Sequence, residues 1–495
     1  MVKDIGRLIK QSGVFGVGTV LSKAVGFFMI PVYTRFLAPS DYGVLELLDL
    51  ILFLAANLAG MGIYTAVFHF YAGAKSEEEK KEVISTALLA SAAFFALCML
   101  VMILSAGTIS RLAFGTAALT RLVRIVSFTL FFSSLTEVPM AYWRARERVI
   151  LFVCIGLART LLAVLTLSFF LVVLKWGVEG AVYANLLTNG IAGALLFGVV
   201  LAQGPKKLDR TRLKELLAYG APLVPWGINM FILTFSDRFF LRYYGNLGEV
   251  GIYALAYKLA MILAFLVNVP FSMMWQPQQF ELAKRGDAKI VFAKVQTYLL
   301  VISVLVGLGI AVMAKDVLRI LTPPSYWPAA RLVPLILVSY VLSAVGLVEA
   351  SGIYVRRVTR YLAPTGLFVA VANLLLNYVL ISRYLAMGAA IATALSYACN
   401  VLLCHFIAQR VFPVRHAYER HGLILGWATL LYLVSTLNHF GVALSMTVNT
   451  IILFAFLVLP YMMFREDRRE IFEYVALSLA QRFRSGEGRV EGKSR

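Results

Sequence analysis

The sequence predicts an all-α polytopic membrane protein of about fourteen transmembrane helices: two six-helix lobes followed by two further helices. Three observations predict it. The chain is 60% hydrophobic and 15% charged, with mean hydropathy +0.82, far too apolar for a soluble chain of its length. Apolar runs long enough to cross a bilayer recur from end to end. The chain also repeats itself.

The spans fall at 12–37, 42–70, 83–107, 117–143, 150–174, 178–202, 215–244, 249–280, 289–314, 328–354, 361–384, 387–411, 421–438 and 442–464. The first follows basic residues but is too long for a signal peptide, so it reads as a permanent helix. Connections are too short for a soluble domain. Residues 465–495 form a basic tail, an interfacial amphipathic helix and then a polar end. Cys98, Cys154, Cys399 and Cys404 all lie in apolar runs and read as small packing residues, without a disulfide framework or metal spacing.

Most of the 46 Lys and Arg fall in alternate loops, such as Arg144, Arg146 and Arg148 or Arg356, Arg357 and Arg360. The positive-inside rule then places both termini in the cytoplasm, and the chain is expected in the inner membrane. The net charge of +20 is this topological signal. It does not point to nucleic acid.

The repeat has an offset of roughly 210 residues. GVEGAVYANLL at 177–187 matches AMGAAIATALS at 386–396. EVPMAYWRARER at 137–148 matches EASGIYVRRVTR at 349–360, placing Glu137 on Glu349 and Arg144 on Arg356. Gly43 after span 1 matches Gly251 after span 7. Six spans separate equivalents, so the repeat is parallel about an axis along the membrane normal. Residues 1–205 are the first lobe, 206–411 the second, and 412–464 carry spans 13 and 14.

Substrate sites in such proteins lie between lobes, and charge inside a membrane is costly enough to mark function. The stretch 219–258 stands out, with Asp237 and Arg238 adjacent inside span 7. The intramembrane cations are Lys23, Arg124, Arg159, Arg238 and Lys258; the acids are Glu46, Asp49, Glu137, Asp237 and Glu349. Arg and Lys suit a phosphate or pyrophosphate. Arg124 and Lys258, nearer the outer leaflet, read equally well as snorkelling residues. Neighbours on a helix diverge by about 100°, so Asp237 need not pair with Arg238; it reads either as a counter-ion for Lys258 or Arg242 or as a proton- or cation-coupling residue. Glu137, Glu349 and Asp49 are gating or coupling candidates, against a structural role at helix ends. Asn229 and Asn268 are the amides best placed for sugar hydroxyls, although intramembrane amides more often join helices. His69 and His405 read as isolated packing residues. Pro31, Pro139, Pro222, Pro225, Pro270 and Pro334 interrupt spans, where helices bend. No catalytic motif, P-loop or metal-ligand spacing is visible, so the chain reads as a transporter and not an enzyme.

The stretch YGAPLVPWGI…SDRFFLRYYGNLGEVGIYALAYKLA, with TRFLAPSDYGVLELL near the N-terminus, resembles the polysaccharide-biosynthesis flippases of the multidrug/oligosaccharidyl-lipid/polysaccharide superfamily. The resemblance covers essentially the whole chain and implies a MATE-like fold. It implies alternating-access translocation of an undecaprenyl-pyrophosphate-linked oligosaccharide from the cytoplasmic to the outer leaflet. The polar head would cross a cationic cavity bearing Lys23, Arg159, Arg238 and Lys258, while the lipid rides in a groove shaped by spans 13 and 14. Membrane lipids and the glycan polymerase and glycosyltransferases of the same pathway are the implied partners. No cofactor is implied; proton or sodium coupling, the membrane potential and product removal each fit as energy source. A lipid II flippase, a multidrug or cation antiporter and, more remotely, a membrane glycan polymerase or transferase are the alternatives.

Overall fold

The computed structural model describes residues 26–203, 207–438 and 440–464. Among these, every regular element is helical. Lys23 and the tail at 465–495 lie outside the described residues.

Helix α1 (Ile30–Phe36) ends at Leu37, and Pro39 opens α2 (Pro39–Gly60), with the Asp41 carboxylate accepting the Ala38 N–H at 3.1 Å. The sequence places one span over 42–70. The chain instead breaks at Met61 and Gly62, both left-handed (φ 45° and 67°), before α3 (Ile63–Gly73). Gly62 abuts Gly220, and a Cβ on either would fall on the other's backbone. Next come α4 (Glu77–Leu104), capped by Ser76, then α5 (Ala106–Phe114), α6 (Thr120–Ala145) and α7 (Val149–Ser168). A π-turn at Phe169–Val173 and α8 (Gly177–Leu201) complete the first half.

The second half opens with α9 (Arg210–Gly220), a 3₁₀ turn at Ala221–Leu223, and α10 (Val224–Tyr244). Pro222 lies in that turn and Pro225 near the first residue of α10, where a missing N–H costs nothing. Asn246 caps α11 (Leu247–Leu263), which passes through a π-turn at Ala264–Asn268 into α12 (Val269–Leu282). Helix α13 (Ala288–Leu321) and a 3₁₀ segment (Pro324–Arg331) follow, then α14 (Val333–Glu349) and α15 (Ser351–Val355). The long α16 (Leu362–Val411) breaks at Leu385 (φ 46°, ψ −128°). The last two helices are α17 (Tyr418–Thr436) and α18 (Val442–Met463).

Eleven of the described helical stretches are long and apolar enough to cross a membrane, so this is a multi-pass membrane protein. The sequence predicts fourteen. The stretch Thr359–Val411 counts once despite its break. The 19-residue α17 is not among the eleven, and most of the first span lies outside the described residues.

In the first half, α6 packs along α8 and α4; in the second, α14 packs along α16 and α13. The halves meet where α2 crosses α11. A Cβ on Gly43 would fall on the Leu247 carbonyl oxygen, and one on Gly251 on the Pro39 carbonyl oxygen. Only glycine permits so close a crossing. Helices α17 and α18 pack on α13 through Leu300, Val304, Leu308, Ile424, Leu431 and Phe456. Asp316 secures this contact: its Oδ2 accepts from Ser445 Oγ at 2.6 Å and Asn449 Nδ2 at 3.2 Å.

Candidate functional site

The α2–α11 crossing brings membrane-embedded charge to one place. Glu46 and Asp49 project from α2 one turn apart, and Lys258 comes from the facing α11. All three line a cavity of ≈ 420 Å³, walled mainly by α1, α2, α6, α7 and α8 and closed by α11, with Tyr33, Tyr42, Thr129 and Asn185 among its polar surface. The Lys258 ammonium lies 4.7 Å from the ring centre of Tyr42 and 5.6 Å from that of Tyr33, a cation–π setting that substitutes for part of its hydration. Among the described residues the charged wall is therefore one ammonium and two carboxylates. Arg124, Arg159 and Arg238 do not line it.

Arg238 lies behind that wall, 1% exposed. The expectation that Asp237 would seek Lys258 or Arg242 is corrected: Arg238 Nη1 donates to Asp237 Oδ1 at 2.7 Å. Divergent Cβ directions do not forbid this, because the long side chain folds back and also donates to the Thr234 carbonyl at 2.6 Å. Glu46 Oε1 lies 3.5 Å from Arg238 Nε, and the ring of Tyr257 centres 4.0 Å from the guanidinium. Asp237 Oδ2 accepts from Tyr253 at 2.6 Å and Thr393 at 3.4 Å. Beside it Ser236, Asn373, Asn377 and Ser396 form a buried hydrogen-bonded chain joining α10 to both parts of α16. Arg242 turns away and donates through Nε to the Phe114 carbonyl at 3.1 Å, and through Nη2 to the same oxygen.

The other candidates are dispersed. Arg159 is half-buried, donating to Asn189 at 2.6 Å and Thr136 at 3.5 Å, with Glu137 within electrostatic reach. Arg124 is exposed. Asn268 Nδ2 donates to the Tyr340 carbonyl at 3.0 Å, so it joins the π-turn to α14. Asn229 packs against Gly366. Glu349 is 5% exposed and makes contacts that the sequence did not suggest: Gln296 Nε2 donates to its Oε1 at 2.6 Å, and His405 Nδ1 stands 3.0 Å from Oε2. His405 is thus not an isolated packing residue. Sequence reasoning also missed Tyr253, Tyr257 and Thr393, whose residue types are ordinary in membrane helices, and Asp316 with its two partners.

The profile of the polysaccharide biosynthesis protein family matches residues 32–331. The probable low-salt glycan biosynthesis flippase Agl15 of Haloferax volcanii is 22% identical over 281 residues, 55% of this chain and 57% of that protein. The alignment therefore spans little more than half of that relative. Among solved structures, the lipid II flippase MurJ in an inward closed conformation superposes with TM-score 0.75 at 14% identity, over 91% of this chain and 99% of that one. An inward-facing multidrug resistance MATE family transporter of the MOP superfamily superposes with TM-score 0.65 at 15% identity, over 78% and 94%. The folds are shared at identities too low to carry activity.

Proposed function

The chain belongs to the polysaccharide biosynthesis protein family, and from that membership we propose that it translocates a lipid-linked glycan across the membrane by alternating access. The observation that carries this reading is the charged cavity at the α2–α11 crossing. A pyrophosphate with its sugars cannot enter hydrocarbon unaided, since each unsatisfied polar group costs several kcal/mol. Lys258 is the cation that would meet the phosphates there, Thr129 and Asn185 would meet sugar hydroxyls, and the tyrosines offer stacking faces. At ≈ 420 Å³ the cavity sits low in the range of small-molecule sites. It takes a pyrophosphate and its first sugar, so an oligosaccharide needs the halves to separate.

The finer assignments belong to the same proposal. The carrier is undecaprenyl pyrophosphate, moved from cytoplasmic to outer leaflet in the inner membrane, with both termini cytoplasmic. The pathway's polymerase and glycosyltransferases are its partners. The lobes are 1–205 and 206–411, a division supported by the reciprocal Gly43–Gly251 crossing. The left-handed residues Glu147 and Arg357, and likewise Lys175 and Leu385, also have the spacing of the sequence repeat. Lys23, Arg159, Arg238 and Arg124 are further phosphate-facing candidates for conformers in which the halves part, and Asn229 and Asn268 for sugars. Asp237 is the coupling candidate: its carboxylate joins α10, α11 and α16, so a change in its ion pairing reaches three helices. Asp49, Glu137 and Glu349 are gating candidates. Glu46 and Asp49 on the cavity wall favour a second reading, transport of an organic cation.

Reconstitution separates the two. A fluorescent polyprenyl-pyrophosphate oligosaccharide in one leaflet should flip quickly with wild type, at least tenfold more slowly with Lys258→Ala, and at an intermediate rate with Lys258→Arg, at unchanged unfolding temperature. No flipping by wild type, with uptake of a cationic dye that depends on Asp49, would overturn the glycan reading.

A further inference from the structure

Three of the chain's five histidines, His405, His416 and His421, lie within one short segment, and two of them converge on the buried carboxylate at the end of α14. We propose that Glu349, His405 and His416 bind one divalent transition-metal ion of the zinc class.

Geometry comes first. One ligand atom from each residue falls within 4.8 Å of the others. Glu349 Oε2 is 3.0 Å from His405 Nδ1, and Glu349 Oε1 is 3.7 Å from His416 Nε2. Nitrogen and oxygen ligands sit about 2.0–2.2 Å from zinc, hence about 3.4 Å apart in a tetrahedron; the two separations, each to its own oxygen of the carboxylate, lie to either side of that spacing. A void of ≈ 10 Å³ lies against Glu349, His416 and Gln409, about the room one water-sized sphere needs.

His416 supplies the second observation. Its side chain is 4% exposed, its Nδ1 has no hydrogen-bond partner, and 3.7 Å is beyond hydrogen-bond reach for Nε2. A buried imidazole nitrogen without a hydrogen-bond partner is costly, and coordination through that ring nitrogen would remove the cost. Outer partners are already in place: Tyr418 Oη lies 3.2 Å from His405 Nε2, and Gln296 donates to Glu349 Oε1. Such contacts orient ligands in metal sites. Two imidazoles and one carboxylate suit zinc, cobalt or nickel, whereas calcium and magnesium take oxygen ligands. The ion would clasp the end of α14 to α16 and to the segment 412–417 that leads into α17.

The test uses the full chain without a polyhistidine tag, stripped with EDTA in detergent and titrated with Zn²⁺ by calorimetry and with Co²⁺ by visible absorption. Expected are one Zn²⁺ per chain at submicromolar affinity, Co²⁺ ligand-field bands, and a Zn²⁺-dependent rise in unfolding temperature. His405→Ala and His416→Ala should each weaken binding at least tenfold and abolish the rise. Tyr418→Phe should weaken it about tenfold, and Cys404→Ser should leave it unchanged. Glu349→Gln risks misfolding, so His416→Ala, in a connecting segment, carries the decision. The proposal is overturned if the metal-free wild type, folded by its melting curve, takes up no Zn²⁺. It is equally overturned if the His405→Ala/His416→Ala double variant binds as tightly as wild type, or if Cys404→Ser abolishes binding.

Discussion

Arg238 brings five donors into a site where it is 1% exposed and finds Asp237, Glu46, the Thr234 carbonyl and three aromatic rings around it. Removing one member of such a pair strands the other without water, typically at a cost of about 3–5 kcal/mol. Arg238→Ala and Asp237→Ala should each lower stability on that scale, and the double variant should lose well under the sum. Unfolding in detergent with increasing SDS measures all three; strict additivity would show that the pair is not coupled. The sequence identifies both residues as expensive but not as partners. Pairing depends on Glu46 and Tyr257 arriving from α2 and α11, and no local spacing encodes those contacts. His416 was invisible for the same reason, since its carboxylate partner lies on another helix, although the run of three histidines was a signal in plain view.

Among elements, long apolar periodicity locates the helices, and prolines mark several starts: Pro225, Pro270 and Pro334 each occupy the first turn of a helical piece. Breaks without proline were legible only in part. The expected spans 361–384 and 387–411 part where α16 breaks at Leu385, whereas Met61–Gly62 lies inside the single span expected over 42–70. The turn before α8 is different, because Lys175 holds φ 55° while exposed. A non-glycine residue in that conformation costs roughly 1 kcal/mol. Lys175→Gly should therefore raise stability by up to about 1 kcal/mol, read as a higher unfolding midpoint; a drop would mean that the lysine side chain contributes more than its backbone costs.

At the scale of the molecule, the halves touch at both ends: at one, α9 packs on α3 and α4 through the Gly62–Gly220 approach and the Arg212–Glu79 ion pair, and a second set of contacts lies at the other. The Gly43–Gly251 crossing, the Arg242 contacts with the Phe114 carbonyl, and the Tyr326 hydroxyl donating to the Leu37 carbonyl at 3.0 Å all lie near the turns that follow α1, α5 and α10. In the orientation and function proposed above, these turns face the outside of the cell. For a glycan to leave the cavity there, these contacts must break, and their strength sets how rarely that end opens. Hydrogen bonds from a charged donor contribute about 1.5–3 kcal/mol, so losing about 2 kcal/mol shifts a closed–open ratio roughly thirtyfold. Asn185 lines the cavity and can report the opening. In a chain whose four native cysteines are replaced, Asn185→Cys should react with a membrane-impermeant maleimide slowly from the side of Phe114. Adding Arg242→Ala should raise that rate tenfold or more while leaving Lys258 in place. An unchanged rate would mean that the glycine crossing alone holds this end shut. Faster labelling from the opposite side only would reverse the orientation inferred from loop charge.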